Sequence, residues 1–69
     1  MQVLADDGDY KVEAAPGKLL ITRTEDGKVC TLTGNGLAAQ FRKGLDAYGC
    51  HKTVSMLLRA ESSRNVVWQ

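Results

Sequence analysis

The sequence predicts a small α+β domain: a three-stranded antiparallel meander packed by one amphipathic helix, closed by a C-terminal β-hairpin or a second short helix. Three observations lead there. Residues 10–14 alternate apolar and charged positions, 19–24 are β-branched and apolar enough for a second strand, and two turn signals divide 10–33 into three segments. Leu37, Phe41, Leu45 and Tyr48 then recur at i, i+4, i+8 and i+11, which stacks them on one face of a helix. A chain of 69 residues also has room for one hydrophobic core at most, so residues 1–69 read as a single domain.

The elements follow in order. Residues 1–9 carry Asp6, Asp7, Gly8 and Asp9 and read as a loose lead-in, with Val3 and Leu4 adding a little edge packing. Tyr-Lys-Val-Glu-Ala at 10–14 is a strand with one wet face. In Ala15-Pro16-Gly17-Lys18 the proline presets one φ and the glycine supplies a positive one, which makes a turn. A second strand covers 19–24. Asp26-Gly27 signals the next hairpin, and a third strand covers 28–33. The helix at 36–48 covers the meander. Asn35 is placed as its N-cap and Gly49 as the positive-φ residue that ends it. Gly44 in mid-helix costs about 1 kcal/mol relative to alanine, so this helix depends on packing.

Residues 53–68 admit two readings. As a helix, Val54, Leu57 and Leu58 share a face. As a strand, Val54, Met56, Leu58 and Ala60 alternate inward, Ser62-Ser63-Arg64-Asn65 turns, and Val66-Val67-Trp68 pairs back. The strand is slightly preferred, because it gives the apolar C-terminus something to pair with.

Composition narrows the function. Nine basic and eight acidic residues give a net charge of +1, which is no electrostatic footprint for nucleic acid. Residues 1–34 carry a balance of −2 and residues 35–69 one of +3. No apolar run approaches the roughly 20 residues of a membrane span, and the N-terminus lacks a signal peptide's pattern, so a cytoplasmic location is expected. In that compartment Cys30 and Cys50 are expected to be reduced thiols rather than a disulfide.

Gly34-Asn35-Gly36-Leu37-Ala38-Ala39 matches G-x-G-x-x-G/A at a strand-to-helix junction. With strand 28–33, helix 36–48 and a strand 53–60 ending at Glu61, this stretch resembles the opening of a short-chain dehydrogenase. That resemblance would imply dinucleotide binding at Gly34 and Gly36. The alternative is a glycine-assisted turn and helix cap, and no cofactor is assigned.

Other chemistry lacks its parts. Cys30, Cys50 and His51 form no close ligand pair for a structural zinc, and no metal is assigned. Asp6, Asp7 and Asp9 lack the ligand ladder of a calcium loop, and Ser55, Ser62 and Ser63 lack a nucleophile elbow. A non-enzyme is expected.

Two binding classes stay open. If 53–61 is helical, the two helices around Gly49 imitate a helix-turn-helix, with His51, Lys52, Thr53 and Ser55 starting the reading helix. The meander and Leu32-Thr33 leading into the first helix then resemble the front of a winged-helix response-regulator domain or of a peptide-binding PqqD-like module. The preferred reading is a non-catalytic protein-interaction module that binds a larger protein and modulates or inhibits it, as accessory proteins of phages and mobile elements do. Arg42, Lys43, Lys52 and Arg64 would form its basic rim, and Trp68 would be its anchor or, as the preferred of two readings, a lid on the small core, with a homodimer through a sheet edge as a further arrangement. The alternative is a small DNA-binding transcriptional regulator. No membrane partner is expected.

Overall fold

The structure, a computed structural model, describes residues 2–61 and 67–69. Four strands, β1 (Gln2–Asp6), β2 (Tyr10–Ala15), β3 (Lys18–Arg23) and β4 (Val29–Thr33), precede two helices, α1 (Leu37–Tyr48) and α2 (Cys50–Glu61). The strands form one antiparallel sheet in the order β1-β2-β3-β4. The α+β class and the meander are as the sequence predicts, with one strand more.

That strand is the expected lead-in. Gln2–Asp6 pairs with β2, but the register shifts between Val3 and Ala5. Leu4 is the extra residue of this bulge, and both Leu4 and Ala5 pack against the core. A bulge breaks period two, which is why alternation did not reveal the strand.

The two predicted turns close the meander. Ala15 pairs with Lys18 across Pro16-Gly17, and Gly17 has φ 71°. At the next turn Asp26 supports the loop itself. Its Oδ1 accepts the Lys28 amide at 3.1 Å, while Arg23 reaches both carboxylate oxygens, at 3.1 and 2.6 Å.

The sheet's register explains the core. Val12, Ile21 and Cys30 lie side by side, and Leu19 and Leu32 form the next row, so one face presents five fully apolar buried positions. Phe41 from α1 and Val54 and Leu57 from α2 complete the buried set. Leu37, Leu45 and Leu58 pack around it. Lys11, Glu13, Leu20, Thr22 and Thr31 alternate to the opposite face.

Three local expectations are corrected. Residues 53–60 are helical, because Val54, Leu57 and Leu58 then reach the core while the strand reading would bury Met56 and Ala60 as well. Gly36, with φ 77°, takes the N-cap of α1 in place of Asn35 and makes no side-chain cap bond. Tyr48 closes the predicted apolar stripe yet is 53% exposed, since the chain turns at Gly49 and α2 supplies the packing at that end instead.

Gly49 behaves as predicted in part. Its φ of 88° ends α1, and its amide donates to the Leu45 carbonyl at 3.0 Å. The tail returns to the sheet rather than to 53–60: Trp68 bridges antiparallel to Cys30, and Gln69 exchanges backbone hydrogen bonds with Val29 at 2.8 and 3.0 Å. The expected turn at 62–65, with Arg64, lies outside the described residues.

Candidate interaction surface

Two amphipathic helices laid on one sheet face bury their inner stripes and leave a groove where their outer flanks meet. Gln40, Lys43, Gly44, Ala47 and Tyr48 line it from α1; Thr53, Met56, Leu57 and Ala60 line it from α2. Its volume is about 420 Å³. Glycine and alanine at the contact keep the walls low, while Tyr48 and Met56, both about half exposed, project at the surface. The ammonium of Lys52 sits 5.5 Å from the Tyr48 ring centroid. No carboxylate is among the lining residues.

The floor is set by Thr53, a buried polar residue with 4% exposure. Its hydroxyl donates to the Gly49 carbonyl at 2.7 Å, and its own amide reaches the same oxygen at 3.2 Å. Burial of this hydroxyl is therefore compensated, and the first turn of α2 is tied to the interhelical residue.

The predicted rim residues that the structure describes divide between the groove and the sheet edge. Lys43 lines the groove, and Lys52 stands beside it with its ammonium over the Tyr48 ring. Arg42 does not line it: its guanidinium donates to the Gln2 side-chain oxygen on β1 at 3.2 Å. Trp68 is half-buried, packed against the core and stacked on Tyr10 at a centroid distance of 6.4 Å, with the Arg23 guanidinium 4.3 Å above its ring. It reads as a lid on the open end of the sheet rather than as a projecting anchor. Sequence reasoning missed Tyr48 and Met56 as surface groups. The signal was the helical wheel of 50–61, which turns Met56 away from Val54, Leu57 and Leu58.

A second cluster forms where the β1–β2 loop meets the start of α2. Asp7, Asp9 and His51 converge there, all exposed. The Asp7 carboxyl is held below its usual range chiefly by the Tyr10 amide, with further help from the Asp9 amide, the His51 charge and the Cys50 thiol. Cys50 is pushed up to about 11, by burial first and then by the Asp7 carboxylate. Burial also raises Cys30. Both thiols are free, and at neutral pH both stay protonated, so neither is an activated nucleophile.

The glycine motif has a different setting from the one its spacing suggests. β4 pairs antiparallel with β3, and the segment after α1 is a helix, so Gly34 and Gly36 open no βαβ unit. No protein-family model matches the chain, and neither a curated protein nor a solved structure matches it. No described helix is long and apolar enough to cross a membrane.

Proposed function

We propose that this chain is a non-catalytic protein-interaction module which takes an apolar segment of a larger protein into the α1–α2 groove and so modulates or inhibits it. The observation that carries the reading is the groove itself: an apolar depression bearing a half-exposed Tyr48 and Met56, with Lys43 in its lining and Lys52 beside it over the Tyr48 ring. Tyrosine supplies rigid contact area, and methionine adapts to the shape of what it meets. The lysines select a segment flanked by carboxylates, since an apolar segment flanked by basic residues would meet like charge. An amphipathic helix with acidic flanks fits this description. A setting among phage or mobile-element accessory proteins belongs to the same proposal.

The alternative, a small DNA-binding regulator, draws support from the helical α2 directly after Gly49, which places Lys52, Ser55 and Arg59 on an exposed face. Against it stands the acidic loop. Asp9 lies 3.8 Å from His51, and Asp7 adjoins Cys50, so carboxylates flank the helix end that would enter a groove lined by phosphates.

A photo-crosslinking residue at Met56, compared with one at Thr22 on the opposite sheet face, tests the proposal in nuclease-treated native lysate. The expected result is one protein captured from position 56 alone, lost when Lys43 and Lys52 are reversed to glutamate. Equal capture from both positions, or crosslinks to nucleic acid only when nuclease is omitted, would overturn it.

A further inference from the structure

The β1–β2 loop and the first turn of α2 are far apart in sequence, yet they bring two carboxylates and an imidazole to one point. One ligand atom from each of Asp7, Asp9 and His51 lies within 4.8 Å of the other two. His51 Nδ1 and Asp9 Oδ2 are 3.8 Å apart. Ligands bound to zinc at about 2.0–2.2 Å sit roughly 3.3–3.5 Å from one another in a tetrahedron, so small rotations of exposed side chains close the set.

The surroundings hold these groups as the outer shell of a metal site does. Asp7 Oδ1 accepts the amides of Asp9 and Tyr10 at 2.9 and 2.8 Å. This carboxylate is oriented before any ion arrives. The His51 ring rests 5.7 Å from the Tyr10 ring, which is itself stacked on Trp68. Beside the cluster lies an open recess lined by Gly8, Asp9, Tyr10 and His51 among others, with space for the water that would complete the coordination.

We propose that Asp7, Asp9 and His51 form a binding site for one divalent transition-metal ion of the zinc type. The donor set selects the class. Imidazole nitrogen with two carboxylates suits zinc, cobalt or nickel, whereas calcium takes six to eight oxygens and magnesium prefers oxygen with retained water. The ion would neutralise two neighbouring carboxylates and clamp the β1–β2 loop to α2. A chain this short gains from such a cross-link, because its core alone is small.

The test uses the untagged full chain, stripped with chelator and titrated with zinc chloride by calorimetry, and with cobalt chloride by absorption. One ion per chain is expected, together with a melting temperature that rises with zinc concentration. His51→Ala and Asp9→Asn, both at exposed positions, should each weaken binding by at least about tenfold while leaving the metal-free melting temperature within a few degrees. Cys50→Ser should retain binding. Absence of saturable binding overturns the proposal. Undiminished binding in the His51→Ala, Asp9→Asn double variant overturns it as well, and so does binding abolished by Cys50→Ser alone, which would mark adventitious capture by a thiol.

Discussion

Gly44 of α1 and Thr53 of α2 are in direct apposition: a Cβ built at Gly44 would lie 2.6 Å from Thr53 Cγ2 and 2.9 Å from its Oγ1. The glycine that weakens α1 as an isolated helix is what lets α2 pack against it. The same small residue keeps the floor of the groove open between Lys43 and Met56.

Gly44→Ala should therefore destabilise the protein although alanine is the better helix former. The propensity gain is about 1 kcal/mol, and overpacking costs about 1–3 kcal/mol, so the net loss is expected near 1 kcal/mol. Thr53→Ala removes the clashing atoms. In a double-mutant cycle by urea denaturation, the pair should show less destabilisation than the sum of the single changes. Strict additivity would mean that the two helices do not meet there.

Phe41 and Tyr48 share the predicted helical stripe, but Phe41 is fully buried and Tyr48 is half exposed. Phe41→Ala should cost about 3–5 kcal/mol, enough to unfold much of so small a domain at room temperature. Tyr48→Ala should cost under about 1 kcal/mol and act on partner capture instead. Circular dichroism melts of the two variants separate these roles.

Trp68 covers the end of the sheet at Cys30, whose thiol is fully buried and raised by that burial. Trp68→Ala should accelerate the reaction of Cys30 with a thiol reagent under native conditions, measured in a Cys50→Ser background. An unchanged rate would show that the tail is not what shields this residue.

Asp26 is lowered from 3.8 to about 2, chiefly by its hydrogen bonds from Arg23. A depressed carboxyl contributes stability that is present above its unfolded pKa and is lost as pH falls through its folded one. The contribution of this pair should thus be complete at about pH 5, shrink as pH falls between 3.8 and about 2, and disappear below that. Urea midpoints of the parent and Asp26→Asn should differ at pH 5 and converge only below about pH 2. The gap at pH 5 should be modest, since the pair is solvent-accessible.

The sequence by itself determined the meander, its two turns and the first helix. Each is specified locally, by the alternation in 10–14 and the β-branched, apolar character of 19–24, by Pro16-Gly17 and Asp26-Gly27, and by the stripe through Leu37, Phe41 and Leu45. Where the local signal was divided, tertiary packing decided. Residues 53–60 carry apolar side chains that satisfy either period, and the choice went to the helix that sends Val54 and Leu57 into the sheet's inner face. β1 was hidden because its bulge turns two consecutive residues inward, and only pairing with β2 makes that arrangement favourable. Lys43 and Lys52 were legible as surface cations, but their grouping with Tyr48 and Met56 required the crossing of two helices. The convergence of Asp7, Asp9 and His51 required the first turn of α2 to lie beside the β1–β2 loop. Helix and strand periods are written in neighbouring residues, whereas a surface is assembled from residues distant in the chain, and their proximity is set by how the core closes.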